Sequence, residues 1–252
     1  MTALIDTLDH GPIRELRLVR APVNALNPQL CADLVTAIAA AVADDIAGIV
    51  LSGGPKVFSA GVDVPYLLSL PDRAALASAW QQFFAAARAL SDCPVPVVAA
   101  IAGHAPAGGC VLALCCDYRV MASGPYRIGL NETQVGLVAP EGIQRLLRRV
   151  IGAYRAERLL VAGELVEADR ALALGLVDEL TDIEQVATRA RDWLHGLLQL
   201  PRAPMLQTRA IARADLIAAL RPEQISLDHF LDAWSVPDTQ SALRALVARL
   251  GK

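Results

Sequence analysis

Lysine is nearly missing from this 252-residue chain: Lys56 and Lys252 are the only two, and the other basic side chains are arginines. With 23 basic against 26 acidic residues and a net charge of −3, nothing suggests a cationic footprint for nucleic acid or an anionic membrane. The arginine bias fits the codon usage of a GC-rich bacterial genome, so a bacterial cytoplasm is the expected compartment. Long apolar runs are missing as well. The chain is 54% hydrophobic, yet its longest apolar stretches, 94–103 and 107–116, fall well short of the roughly 20 residues that span a bilayer. The start, MTALIDTLDHGPIRE, has no basic segment followed by an apolar one, and no secretory signal is expected.

Patterned cysteine and histidine are lacking too. Cys31, Cys93, Cys110, Cys115 and Cys116 make an odd count with no CxxC, which excludes a disulfide framework. They read as small hydrophobes in a reducing compartment. His10, His104, His195 and His229 are scattered without HExxH or similar spacing, so no metal site is expected. There is no GxGxxG dinucleotide loop and no GxSxG serine elbow.

What is there is a change of periodicity along the chain. Residues 13–20 alternate like a half-exposed strand, 29–44 read as a helix, and GIVLSGG (48–54) reads as a buried strand ending in a glycine turn. A helix at 71–91, the apolar strand 96–103, the loop HAPAGG, a short helix, and strands at 118–122 and 126–130 follow. Alternating strand and helix predicts an α/β domain with crossover connections. From 141 onward strand signals nearly vanish, apart from GLVDEL (175–180). Segments 141–150, 153–162, 167–174, 183–199, 204–220, 223–233 and 238–250 read as helices. The expected organisation is an α/β core over 1–195 and a helical C-terminal region over 196–252.

Three segments carry the chemistry. FSAGVD (58–63) and GHAPAGGC (103–110) are glycine-containing turns after strands, which leave backbone N–H groups free at a strand-to-helix transition. Such groups suit a phosphate or a developing oxyanion. The second turn lacks the Lys and Ser/Thr of a P-loop, which removes nucleotide phosphate. Either turn alone is more often a tight corner; two together suggest paired donors. The third segment, YRIGLNETQVGLVAPEG (126–142), isolates Glu132 among neutral residues. A solvated loop carboxylate and a general base of raised proton affinity both fit it.

In this order and spacing the three segments resemble the crotonase (enoyl-CoA hydratase/isomerase) superfamily, and the resemblance runs over nearly the whole chain. It implies the ClpP-like spiral of ββα units with a helical C-terminal trimerisation region. Transferred position by position, it implies that the backbone N–H groups of Val62 and Gly108 grip a thioester carbonyl oxygen. Ser59, Ala60, Gly61, Asp63 and Asn131 are expected to line the acyl-CoA, and Ala25 to sit near the adenine. Hydratases of the superfamily carry two glutamates, one matching Glu132 and the other matching Val111. Valine cannot hold water, and GHAPAGGC with IGLNETQVGLVAP resembles the mitochondrial-type Δ3,Δ2-enoyl-CoA isomerases. The expected reaction is therefore a double-bond shift with Glu132 as base and then acid, with hydration, other crotonase chemistry or bare acyl-CoA binding as alternatives. Asp63 is expected to cap a helix, Asp117 to be structural, His104 to pack and Glu141 to sit on a helix dipole. No cofactor beyond the CoA of the substrate is implied, and the assembly expected is a homotrimer or a dimer of trimers.

Overall fold

The computed structural model describes residues 3–250. A hairpin of β1 (Ile5–His10) and β2 (Ile13–Leu18) opens the chain, followed by helix α1 (Pro28–Ala43). One unit then repeats three times. β3 (Gly48–Ser52) and β4 (Lys56–Val57) lead into α2 (Val64–Leu68) and α3 (Arg73–Ser91). β5 (Val97–Ile101) and β6 (Gly103–Pro106) lead into α4 (Gly108–Leu114). β7 (Tyr118–Ala122) and β8 (Arg127–Gly129) lead, through a 3-10 turn at Glu132–Val135, into α5 (Glu141–Ile151). α6 (Ala153–Ala162), β9 (Val166–Glu167), α7 (Ala168–Leu174), β10 (Glu179–Thr181) and α8 (Val186–Leu197) follow. The chain continues through α9 (Arg202–Ala212), α10 (Ala214–Ala219), α11 (Pro222–Ile225), α12 (Leu227–Trp234) and α13 (Pro237–Leu250).

In each repeat the first strand joins one sheet and the second joins another. The larger sheet has the order β1-β2-β3-β5-β7-β10 and the smaller β4-β6-β8-β9. The repeated ββα architecture implied by the resemblance is thus present, although no repeat is visible in the letters. β3 and β5 are buried at every position, as strands covered on both faces must be. Their side chains alternate between two cores. Ile49, Leu51, Val97 and Ala99 join the main core, while Val50, Val98 and Val120 pack on Val186, Ala190 and Leu194 of α8.

Several elements depart from the pattern. Residues 104–106, read as loop, belong with Gly103 to β6: Gly103 lies so close to β4 that a Cβ there would stand 1.9 Å from the Lys56 carbonyl carbon. β1 escapes notice because only Ile5 of its six residues is buried; pairing with β2 holds it. The helix expected at 204–220 breaks at Arg213, whose guanidinium turns inward to Asp117 and the carbonyls of Ser91 and Cys115. The helix expected at 223–233 breaks at Ser226, which takes a left-handed conformation (φ 48°). Asp117 is structural, as expected: it accepts from the Val97 N–H and from Arg209 and Arg213, tying α9 and α10 to the central sheet. The boundary placed at 195/196 falls in the last turn of α8, and Leu216, Phe230, Trp234 and Leu243 beyond it belong to the main core. Among the described residues no helix is long and apolar enough to cross a membrane.

All five thiols are buried and free. Burial pushes Cys31 and Cys115 up to about 12 and raises the others. Since the thiolate is the reactive form, the native protein is expected to resist a chromogenic disulfide reagent at pH 8 and to release all five equivalents only in denaturant. Rapid reaction of any thiol in the native state would contradict this burial.

Candidate active site

β4, β6 and β8 are parallel neighbours in the smaller sheet, with Val57 opposite His104 and Pro106 opposite Gly129. Adjacent strands lie about 4.8 Å apart, so the segments leaving their C-terminal ends emerge side by side. Those segments are 58–63, 107–110 and 130–135. The fold alone therefore brings the three sequence motifs to one place.

The first turn is held by backbone. The Ala60 N–H donates to the Val23 carbonyl (2.9 Å), and Ser59 Oγ donates to the Asn24 carbonyl (2.8 Å) while accepting from the Gly61 N–H (3.2 Å). Gly61 has φ 84°, and its carbonyl accepts from the Leu26 N–H at 2.8 Å. A trans peptide points its N–H opposite its C=O. With the Gly61 carbonyl anchored outward, the Val62 N–H faces the other way.

The second turn repeats the device. Ala107 takes φ 46°, ψ −118°, a conformation that a side-chain-bearing residue enters at about 1–3 kcal/mol. Its N–H donates to the Gly129 carbonyl (2.8 Å) and its carbonyl accepts from the Val111 N–H (3.0 Å), leaving the Gly108 N–H as the first free donor of α4. Neither the Val62 nor the Gly108 amide donates to protein among the described residues. They lie close together: a Cβ on Gly108 would stand 3.2 Å from the Val62 nitrogen, and one on Gly61 would stand 3.0 Å from the Gly108 nitrogen. Left-handed backbone at both turns, free for Gly61 and strained for Ala107, aims two unpartnered donors at one point.

That point opens into a cavity of about 630 Å³. Its walls are apolar, with Trp80, Phe83 and Phe84 from α3, Phe230 from α12, and Leu243 and Leu246 from α13. Ala25, Ala60, Val62, Asp63, Gly108, Asn131 and Glu132 all line it; Ser59 and Gly61 stand behind the wall as braces. Asn131 makes no side-chain hydrogen bond among the described residues and caps nothing. Val111 forms part of the wall and is buried, leaving no second carboxylate there.

Among the described residues three ionisable side chains line the cavity: Arg20, Asp63 and Glu132. Asp63 is occupied. It caps α2 by accepting from the Tyr66 N–H (3.0 Å) and pairs with Arg20 (2.6 Å). Glu132 has no such partner, and its Oε2 is sealed from solvent without a hydrogen bond. Burial pushes its carboxyl up to about 7, opposed only by its own backbone N–H. A carboxyl near 7 is ionised often enough to take a proton and basic enough to hold one. His104 packs, accepting from the Arg127 N–H (3.1 Å), and Glu141 is exposed, paired with Arg145.

Arg20 and the aromatic wall were missing from the sequence reading. Trp80, Phe83 and Phe84 stand at i, i+3 and i+4, a spacing that puts three rings on one helical face. Nothing local marks Phe230, Leu243 or Leu246, which reach the cavity only because the C-terminal helices fold back over it.

Two superhelically offset sheets, paired backbone donors after their strands, and one desolvated carboxyl in an apolar cavity define an enzyme of the crotonase type. The model for enoyl-CoA hydratase/isomerase matches residues 10–242, and the chain belongs to that family. It is 32% identical to the mitochondrial enoyl-CoA delta isomerase 1 of Mus musculus, over 98% of this chain and 86% of that protein. It is also 34% identical to a probable enoyl-CoA hydratase of Mycobacterium avium, over 81% of this chain and 82% of that one. Among solved structures, human mitochondrial Δ3,Δ2-enoyl-CoA isomerase superposes with a TM-score of 0.93 at 31% identity, covering 98% of both chains. These relatives come from a mammalian mitochondrion and a mycobacterium alike, which leaves the bacterial cytoplasm an expectation.

Proposed function

We propose that this enzyme converts a 3-enoyl-CoA to the 2-trans-enoyl-CoA, with Glu132 as the single proton carrier. The observation that carries this reading is the cavity's charge: one unpartnered carboxyl at Glu132, and valine at 111. The thioester oxygen accepts from the Val62 and Gly108 amides. The Glu132 carboxylate takes a proton from C2, and the C2–H electrons form the dienolate, whose charge rests on that oxygen. The same carboxyl then returns the proton to C4 as the 3,4 double bond moves to 2,3. No redox step or added water is needed, and no cofactor is proposed beyond the CoA of the substrate.

Hydration is the second reading, favoured by the hydratase-named relatives. It requires a group to hold and deprotonate water, and Val111 offers none. The CoA end of the substrate has a place of its own in this proposal. A second cavity of about 650 Å³ shares Ala21 and Pro22 with the first and carries Lys56, a cation suited to phosphate, beside Arg17, which is paired with Glu15 (3.0 Å). Assembly as a homotrimer or dimer of trimers remains part of the proposal, supported by outward-facing Tyr154, Val161 and Ile211, each more than 70% exposed.

The experiment supplies 3-hexenoyl-CoA and 2-hexenoyl-CoA separately and follows the products. Isomerisation of the first with little 3-hydroxyhexanoyl-CoA from the second is expected; rapid hydration of the second would replace this reading with the hydratase one. The base must begin ionised, so kcat/KM for 3-hexenoyl-CoA is expected to rise about tenfold per pH unit below about 7 and to level off above it. A profile flat from pH 5 to 9 would remove Glu132 from the proton step.

A further inference from the structure

We infer that Arg20 is a positioning residue for the oxyanion site, acting through Asp63 and Ala25 on the Val62 amide; this rests on the isomerase-type use of that site proposed above. Arg20 ends the segment after β2, and its fork spans two pieces of chain. Nη1 donates to the Ala25 carbonyl (2.9 Å) and Nη2 to Asp63 Oδ2 (2.6 Å). Asp63 directly follows the donor residue Val62.

The bridged pieces are those whose relative position sets the donor. The Leu26 N–H holds the Gly61 carbonyl (2.8 Å) and the Asp63 N–H donates to the Leu26 carbonyl (3.1 Å), so the Val62 peptide is clamped between Leu26 and Asp63. Arg20 closes a ring around that clamp from Ala25, one residue before Leu26, to Asp63, one residue after Val62. Left-handed residues interrupt both pieces, Asn24 at φ 50° and Gly61 at φ 84°. Neither piece belongs to a long regular element that would fix its path.

The pair is no ordinary surface contact. The Asp63 side chain is 11% exposed and that of Arg20 is 27% exposed, and the guanidinium uses separate nitrogens on a carbonyl and a carboxylate. A planar fork fixes direction in a way that a lysine point charge cannot. Pairing also leaves the cavity without a free cation among the described residues.

Arg20→Gln and Asp63→Asn are each expected to lower kcat by about 10- to 100-fold, the usual effect of displacing a reacting group by a fraction of an ångström to an ångström. KM should stay within about threefold, because the transition state depends on the donor more than the ground state does. Arg20→Lys should recover part of the loss, and the double variant should be no slower than the worse single, as for residues acting through one another. A second readout does not need turnover: the infrared carbonyl band of bound hexanoyl-CoA carrying 13C at C1. In the unaltered enzyme this band is expected at lower frequency than in water, and in Arg20→Gln that shift should be largely lost. Full kcat in folded Arg20→Gln, or an undiminished carbonyl shift, overturns the inference while leaving the oxyanion site standing. A loss confined to KM also overturns it and makes Arg20 a CoA contact. No shift in the unaltered enzyme would sink the oxyanion assignment itself.

Discussion

Glu132→Gln is expected to lower kcat for 3-enoyl-CoA isomerisation by at least about 10³-fold, since the same carboxyl takes and returns the proton, and acid–base groups contribute about 10²–10⁴-fold each. The amide is nearly the same size, so the cavity should still bind acyl-CoA. The same change is expected to stabilise the fold at alkaline pH. Burial lifts the folded carboxyl from 4.5 to about 7, so between those values the native state holds a proton that the unfolded chain has released. Stability therefore falls as pH rises across this window, by up to about 3 kcal/mol at pH 8. Glutamine carries no charge to desolvate. Denaturant melts should show the variant more stable by about 1–3 kcal/mol at pH 8 and level with the parent below pH 4.5. A variant that keeps its activity would end the assignment, and one destabilised at pH 8 would show that the carboxylate is satisfied after all.

Gly108→Ala is the second large effect. Helical geometry at 108 accepts alanine and the N–H remains, so the backbone argument predicts a folded protein. The added methyl would stand 3.2 Å from the Val62 nitrogen and 3.1 Å from Leu26 Cδ1 and Phe83 Cε2. It fills the space that an oxygen accepting from both amides must enter. Loss of one oxyanion donor costs about 3–4 kcal/mol of barrier, and blocking the approach to both should cost at least as much. Expected is a fall in kcat/KM of about 10²–10³-fold or more, with a folded protein whose stability falls by no more than the roughly 1–3 kcal/mol of local overpacking. Activity within threefold of the parent would place the thioester oxygen elsewhere. Val62→Ala serves as the control: the donor there is backbone, so the side chain should matter little.

The elements legible in sequence were those whose signal is local. β3 and β5 are short apolar runs covered on both faces, α1 and α3 carry helical periodicity, and each reads nearly to its observed ends. The strands of the smaller sheet were only half legible. β4 and β9 have two residues each, and β6 hides in a glycine-rich stretch; their pairing is fixed by close approach across the sheet and leaves no periodicity to read. The breaks at Arg213 and Ser226 were invisible for a similar reason, since a helix-compatible arginine leaves its helix for Asp117 across the fold.

By itself the sequence determined the two glycine turns, the lone glutamate, the valine where a second carboxylate would stand, and through their order the family. What it could not decide was whether Glu132 is solvated or desolvated. On local grounds a loop carboxylate is more often solvated. Tertiary structure decided it: parallel β4, β6 and β8 set the three segments side by side, and α12 and α13 close an apolar wall opposite them. Proton affinity depends on how much water and counter-charge surround a group, and both are properties of the folded surroundings. The Arg20–Asp63 pair, 43 residues apart in the chain, belongs to the same category. Residue types and their order name the chemistry, and three-dimensional exclusion of water gives the carboxyl the strength to do it.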